Sequence, residues 1–265
     1  MSEAGNETRS GGGLVIKYGG NAMTDDATRL AVAAAIRELA ATASAEAPAP
    51  VVVHGGGPFI KAALDDAGLE HRFARGLRVT SAEAMVVIEG VLTTLGKRLA
   101  AEIGPAAGLS GRDANLLVAS AAEPELGRVG HMSSVDTTVI GALRGAGLVP
   151  VIACVALDAF GEALNVNADE VAGAVAAALG EGVVFLTNVP GVLDDPAQPD
   201  SLISVLGRSE AAVRIADGRI AGGMIPKVEA ALAAVAMGAP YAVIADGRSP
   251  QAVRHRGLGT RIVPD

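Results

Sequence analysis

Short runs rich in valine and isoleucine alternate along this chain with longer alanine-rich stretches, in which apolar positions recur every three or four residues. This alternation predicts a parallel β-sheet with helices packed against it, which is an α/β fold. The strands are predicted at 14–18, 51–54, 148–153, 183–187 and 241–244. The helices are predicted at 27–43, 58–67, 82–103, 136–146, 169–179 and 226–237.

Local signals support several of these boundaries. Pro58 and Pro226 each stand where a helix accepts proline, at its first position. Ser81 is placed to cap the helix predicted at 82–103. Residues 119–132 contain Glu-Pro and glycines and predict a hairpin or an excursion from the main sheet, whereas residues 194–200 predict an exposed loop.

The composition excludes several classes of function. The net charge of −8 argues against a nucleic-acid surface, so an anionic substrate needs a local pocket of positive charge. The longest apolar stretch, 171–186, contains Glu181 and three glycines and falls short of a membrane span. Residues 1–13 form a polar tail without an apolar leader, which predicts a soluble, cytoplasmic protein. The single cysteine, Cys154, is predicted to be a small core residue.

Two glycine clusters follow predicted strands. Lys17 ends the first strand and is followed by Gly19-Gly20, while His54 ends the second and is followed by three glycines and Pro58. Ligands of open α/β sheets bind beyond the carboxyl ends of the strands. Glycines there let backbone N–H groups close on an anion, particularly where a helix begins. The sequence therefore predicts a phosphate or carboxylate site at this edge.

Other polar residues fit the same chemistry. Lys227 lies in the first turn of a predicted helix, where a cation opposes the helix dipole unless it has an anionic partner. Asn165, Asn167 and Asp169 alternate, so in an extended segment they would share one face, although Asp169 could instead cap the following helix. Arg78 is a natural bidentate partner for a carboxylate, or else a surface ion-pair residue. The set indicates phosphoryl transfer.

Competing signatures do not fit. A P-loop requires four residues between its first glycine and its Gly-Lys, but the stretch 90–98 has five and ends in arginine. Cysteine and histidine do not occur at metal-binding spacing, so no metal site is predicted on the protein itself.

Six motifs in order along residues 14–246 resemble the amino acid kinase family. They are Lys17-Tyr18-Gly19-Gly20-Asn21-Ala22-Met23, His54-Gly55-Gly56-Gly57-Pro58, Gly76-Leu77-Arg78-Val79-Thr80, Gly108-Leu109-Ser110-Gly111-Arg112-Asp113, Asn165-Val166-Asn167-Ala168-Asp169 and Gly222-Gly223-Met224-Ile225-Pro226-Lys227. Each motif is weak by itself, and the ordered set is specific. It is most similar to the members that phosphorylate the γ-carboxylate of N-acetyl-L-glutamate.

The resemblance implies a three-layer α/β/α sandwich with an open, mainly parallel, eight-stranded central sheet. It implies a single domain over 1–265, with an amino-acid-binding lobe and dimer surface at about 14–176 and a nucleotide lobe at about 177–265. The seam between the lobes is expected near the helix at 169–180. The implied reaction uses ATP and yields N-acetylglutamyl 5-phosphate in the second step of arginine biosynthesis.

The resemblance also implies roles for particular residues. Lys17 and Lys227 would stabilise the transferring phosphoryl group, with Asp169 organising both. Substrate-binding and phosphate-binding roles fall to Gly20, Gly55, Gly56, Gly57, Arg78 and Asn165. The ATP pocket would comprise Asn188, Val189, Pro190, Gly191, Val192, Leu193, Arg219, Ile220 and Ala221. Mg²⁺ would be bound through the phosphates, and a general base is not expected because the attacking carboxylate is already ionised at pH 7.

Departures from the family pattern concern regulation and assembly. Ser81 stands where many relatives carry aspartate. The N-terminal segment and the tail at 253–260 differ from those of arginine-inhibited members, which predicts weak arginine feedback and a homodimer rather than a hexamer. Alternatives are a relative acting on carrier-bound α-aminoadipate, a carbamate, aspartate or nucleotide kinase, and a non-catalytic nucleotide sensor. The Asn-x-Asn-x-Asp pattern favours the acetylglutamate version, and retention of Lys17, Asp169 and Lys227 favours a catalyst.

Overall fold

The computed structural model describes residues 12–195, 197–198, 200–255 and 258–265. Most of the predicted N-terminal tail lies outside these residues, as do parts of the loop at 194–200 and of the tail at 253–260. The strands are β1 (Leu14–Tyr18), β2 (Val51–His54), β3 (Phe73–Ala74), β4 (Leu77–Arg78), β5 (Ala106–Ser110), β6 (Leu117–Ala121), β7 (Val129–Val135), β8 (Val149–Ala153), β9 (Val155–Leu157), β10 (Ala163–Val166), β11 (Gly182–Thr187), β12 (Val205–Gly207), β13 (Ala242–Asp246) and β14 (Thr260–Val263). The α-helices are α1 (Asp26–Ala41), α2 (Gly57–Asp66), α3 (Ala82–Ile103), α4 (Thr138–Gly145), α5 (Ala168–Leu179), α6 (Arg208–Ala216), α7 (Ile225–Ala236) and α8 (Gln251–Arg254).

The central sheet has eight strands in the order β12-β14-β13-β11-β1-β2-β8-β5. All of its pairings are parallel except that of β13 with β14. Val15 packs in one hydrophobic cluster, and its neighbours Leu14 and Ile16 pack in another. Successive side chains of a strand point to opposite faces, so both faces of the sheet are covered. This confirms the predicted three-layer α/β fold with its eight-stranded sheet.

Four further strands form a small barrel that is separate from the main sheet. Strands β6 and β7 form the antiparallel hairpin expected around 119–132, and β9 and β10 join them in a closed four-stranded barrel. The sequence did not predict β9 or β10, because a run as short as Val155–Leu157 carries little periodicity. The barrel is connected directly to α5, because β10 ends two residues before α5 begins.

Local predictions were confirmed in part. Every predicted strand and helix exists, and α3 has the predicted bounds, with the Ser81 hydroxyl accepting a hydrogen bond from the Ala84 amide at 3.1 Å. The helix predicted from 136 begins at Thr138, because the Asp136 carboxylate accepts from the Thr138 amide in a local turn. Cys154 is buried, as predicted.

Within the described residues, none of the helices is both long enough and apolar enough to cross a bilayer.

Candidate active site

The end of β1 places Lys17 at the carboxyl edge of the sheet, beside the first turn of α5. Its ammonium nitrogen lies 2.9 Å from Asp169 Oδ1, and the Lys17 side chain is only 13% exposed. Because α5 follows the barrel strand β10, this ion pair connects a strand of the main sheet to the helix that comes after the barrel. The two residues are far apart in sequence and form one ion pair in the structure.

Asn167, and not Asp169, caps α5. The Asn167 side-chain oxygen accepts a hydrogen bond from the Asp169 amide at 2.8 Å. The reading of Asp169 as the helix cap is therefore wrong, and its carboxylate is available for Lys17. The predicted shared face holds for Asn165 and Asn167, which line one cavity, whereas Asp169 lies in the helix and lines another.

Lys227 reaches the same cleft from α7. Its ammonium group donates to the Gly223 carbonyl at 2.9 Å, within the turn that begins the helix. Among the described residues, no carboxylate lies within 4.0 Å of Lys227. Asp169 therefore contacts Lys17 directly, whereas the Lys227 charge has no anionic partner among the described residues.

Two cavities meet at this charged unit. The first, of about 620 Å³, is lined by Lys17, Gly20, Asp169, Thr187, Asn188 and Lys227, among others. The second, of about 820 Å³, includes Lys17, Gly20, Gly55, Gly56, Gly57, Arg78 and Asn165 in its lining. Lys17 and Gly20 belong to both linings. A chemical group that is transferred from one cavity to the other therefore moves past Lys17 and Gly20.

The two glycine turns touch at the same place. A Cβ atom on Gly20 would lie 2.8 Å from the Gly57 nitrogen and 3.0 Å from Pro58 Cδ, so only glycine allows this approach. Gly56 is equally confined, since a Cβ there would lie 2.7 Å from a Leu92 methyl group. Among the described residues, the N–H groups of Gly20, Gly56 and Gly57 have no protein acceptor. They are free to donate to an anion.

The far end of the second cavity carries Arg78. Its guanidinium lies 4.7 Å from the Phe73 ring centroid, and Nη2 donates to the Gly57 carbonyl at 3.3 Å. Nη1 is buried without a partner among the described residues, and burial lowers the pKa of Arg78. Arg78 lines this cavity, so its guanidinium is placed to bind an incoming carboxylate.

Asn165 is oriented by its neighbour. Its amide nitrogen donates to the Thr80 hydroxyl at 3.2 Å, and that hydroxyl donates to the Arg78 carbonyl at 2.8 Å. Thr80 is fully buried and links the two predicted substrate-binding residues. Sequence reasoning quoted Thr80 in a motif but gave it no role, because the signal for such a link is its contact with a residue 85 positions away.

Other residues of the second cavity were assigned no ligand role from the sequence. Phe73, Asn167 and Cys154 line it together with the predicted residues. Burial raises the pKa of the Cys154 thiol to about 12, so the thiol stays protonated, and it donates to the His54 carbonyl at 3.1 Å. Cys154 is therefore both a core residue and part of the cavity wall.

The predicted ATP-binding residues lie in two segments, which approach each other where Arg219 lies 3.5 Å from Asp194, the residue after Leu193. Asn188 lines the first cavity, whereas the other predicted positions are not part of its lining. Val192 and Ile220 are each 1% exposed in the hydrophobic core, and the Val192 amide donates to the Thr260 hydroxyl at 2.7 Å. Arg219 pairs with Asp217 at 2.6 Å. Residues that sequence reasoning missed in this lining include Phe185, Thr187 and Ala230.

Comparisons with known proteins agree with this geometry. The model of the amino acid kinase family matches residues 13–246. The acetylglutamate kinase of Deinococcus radiodurans is 52% identical over 255 residues, covering 95% of this chain and 100% of the relative. An acetylglutamate kinase of Synechococcus is 42% identical, covering 94% of this chain and 86% of the relative.

A solved structure from Streptococcus mutans has a TM-score of 0.76 and 27% identity, and covers 96% of this chain and 99% of that one. The family match, the similarity to these relatives and the lysine–glycine site point to the same conclusion. The chain belongs to the amino acid kinase family.

Proposed function

We propose that this protein transfers the γ-phosphoryl group of ATP to the γ-carboxylate of N-acetyl-L-glutamate, forming N-acetylglutamyl 5-phosphate. The observation that carries the proposal is the meeting of two cavities at Lys17 and Gly20. One cavity contains two lysines for a polyphosphate, and the other is lined by an arginine for an acid. Relatives that are 42% and 52% identical over most of the chain bear the corresponding name.

The two lysines stabilise negative charge on the phosphoryl group that is transferred. In phosphoryl transfer, negative charge is spread over the oxygens of the moving group, and positive groups placed there lower the barrier. Lys17 is held at the junction by Asp169 at 2.9 Å, so it does not have to be ordered during the reaction. Lys227, fixed by the Gly223 carbonyl, approaches from the nucleotide side. Together they flank the path between the two cavities.

The acceptor side supplies orientation. Arg78 can bind one carboxylate of the substrate through its guanidinium, while the N–H groups of Gly56 and Gly57 can hold the attacking carboxylate in line with the γ-phosphorus. Asn165 presents its amide beside them. The attacking carboxylate is ionised at neutral pH, so the reaction does not require a proton acceptor on the protein.

Mg²⁺ belongs to the proposal as the partner of ATP. Within the described residues, no cluster of three acidic, cysteine or histidine side chains could hold a metal, and Asp169 in the first cavity is paired with Lys17. This donor set fits a magnesium ion whose ligands are mostly phosphate oxygens and water. Such an ion would neutralise phosphate charge when ATP is bound.

We also infer an amino-acid lobe at about 14–176 and a nucleotide lobe at about 177–265. Support comes from the sheet order, in which β11, β12, β13 and β14 occupy one half. A cytoplasmic homodimer in arginine biosynthesis completes the proposal. A single cysteine suits a reducing compartment, and analytical ultracentrifugation would distinguish a dimer from a hexamer.

The proposal is tested by ATP turnover with free N-acetyl-L-glutamate, trapping the acyl phosphate with hydroxylamine. We expect hydroxamate with this acceptor and none with glutamate or aspartate. A folded, ATP-binding protein that gives no hydroxamate would contradict the proposed acceptor and favour the carrier-bound α-aminoadipate alternative.

A further inference from the structure

His54 lies directly behind the glycine turn of the second cavity and has no role in the reaction as described so far. It ends β2 and is fully buried between Tyr18 of β1 and Ala153 of β8 in the sheet register. Its Nδ1 lies 3.1 Å from the Gly55 carbonyl oxygen. Its Nε2 is buried without a partner among the described residues.

These contacts determine the state of the ring. A carbonyl oxygen can only accept a hydrogen bond, so the proton of the neutral imidazole must be on Nδ1. On the other side, a Cβ on Gly96 of α3 would lie 2.8 Å from Nε2, so the ring fits there only because residue 96 is glycine. Burial lowers the pKa of His54 to about 4, and the ring stays neutral at physiological pH.

The Nδ1 contact falls on a peptide of the turn that has no other hydrogen-bonded anchor within the described part of the chain. The Gly55 amide donates to the Tyr18 carbonyl at 3.1 Å, and the Gly56 carbonyl accepts from the Ile60 amide at 2.8 Å. These bonds hold the peptides on either side. Among the described residues, the carbonyl of the Gly55–Gly56 peptide is bonded to His54 alone. Since both flanking residues are glycines, side chains offer little resistance to rotation of this peptide.

The orientation of this peptide matters for the site. In a trans peptide, the C=O and N–H bonds point to opposite sides, and no cis peptide occurs among the described residues. Holding the Gly55 oxygen toward the buried ring therefore aims the Gly56 N–H away from it, toward the cavity that Gly56 lines.

We propose that His54 is a positioning residue for phosphoryl transfer, which fixes the Gly55–Gly56 peptide through Nδ1–H so that the Gly56 N–H faces the reacting carboxylate and phosphoryl group. The inference rests on the proposed function for the identity of those groups. It also explains the buried, unpartnered Nε2, because an apolar side chain would avoid that penalty but could not donate to Gly55.

The kinetic test compares His54→Leu with His54→Asn. Asparagine carries its amide nitrogen on Cγ, as histidine carries Nδ1, and can restore the donor. We expect His54→Leu to lower kcat roughly tenfold or more, with the KM for ATP changed less than twofold, because a misaimed donor acts mainly in the transition state. His54→Asn should recover most of the loss. Wild-type kcat in folded His54→Leu, or equal losses in both variants, would overturn the inference.

A second measurement does not depend on turnover or on the folding of His54→Leu. Long-range ¹H–¹⁵N NMR of the unmodified protein reports which ring nitrogen of each histidine carries the proton, and the His54→Asn spectrum identifies the signal. We expect the Nδ1–H tautomer, unchanged from pH 8 to pH 5. An Nε2–H tautomer would refute the contact. If the wild-type protein does not phosphorylate N-acetyl-L-glutamate, the proposed function fails, and the tautomer still decides whether His54 holds Gly55.

Discussion

Replacing Gly20 with alanine tests whether the contact between the two glycine turns sets the reaction geometry. The added Cβ would lie 2.8 Å from the Gly57 nitrogen, whereas ordinary contact begins at 3.4 Å, so the turns must separate by about 0.6 Å. The opposing atoms belong to backbone and a proline ring and cannot rotate away. The φ angle of Gly20 is not in the left-handed region, so alanine brings crowding without backbone strain.

The expected size of the effect follows from this separation. A misplacement of about 1 Å costs roughly 10²-fold in rate. A shift of about 0.6 Å should therefore lower kcat roughly 10-fold to 20-fold, or about 1.4 to 1.8 kcal/mol. The assay is hydroxamate formation at saturating ATP, with thermal unfolding measured on the same samples.

Gly141→Ala provides the matched control. This glycine lies in α4 with nothing within 4 Å of the added Cβ, so activity should be unchanged and the helix slightly more stable. Should folded Gly20→Ala turn over as fast as Gly141→Ala, the close approach of the turns does not determine the geometry, and the reasoning fails.

Three further predictions concern charge. Lys17→Ala should lower kcat on the order of 10²-fold or more, because the positive charge between the two cavities is lost. The control is Lys61→Ala in α2, where the side chain is exposed, and hydroxamate assays of this variant should show no such loss. Glu181→Gln should reduce the free energy of unfolding by about 3 to 5 kcal/mol in urea titrations, because it leaves the buried Arg144 without its carboxylate partner. A loss below 1 kcal/mol would contradict that reading of the pair. His54 should make the protein less stable in acid, since its pKa is about 4 when folded and 6.5 as the ordinary value, so the unfolded chain takes up the proton first. As the pH falls from 7 toward 4, up to about 3 kcal/mol of stability should be lost, and urea titrations of His54→Asn should lack this component.

The fold was largely predictable from the sequence, because its strong elements carry local signals. The central strands are continuous apolar runs between turn residues, and α3 has both a cap and a core-facing stripe. The barrel was not predictable in full. Its strands β9 and β10 are short and pair with each other, with β10 also pairing with β7 and β9 with β6, so their structure depends on partners that local sequence does not specify.

The candidate site was likewise predictable from the sequence only in part. Lys17, Gly20 and Gly56 were identified because glycine and charge at strand ends are unusual without a ligand. Arg78 was identified because arginine is a natural bidentate partner for a carboxylate, and the structure places all four residues in the two cavities. The ATP positions around Val192 were predicted by resemblance and stay a prediction, and the Val192 side chain packs in the core. The exposure of a residue in a short loop depends on which residues pack over the loop. At Val192 the backbone amide donates to the Thr260 hydroxyl.

The sequence by itself determined the fold class, the placement of the glycine turns after strands and the types of residue available for chemistry. Only the tertiary structure decided which of those residues meet. Asp169 could have capped α5, but Asn167 takes that place and leaves its carboxylate to Lys17. His54 could have been an ordinary core residue, but its Nδ1 meets the Gly55 carbonyl. Both outcomes depend on distances of about 3 Å between atoms, which residue order constrains only after the chain has packed.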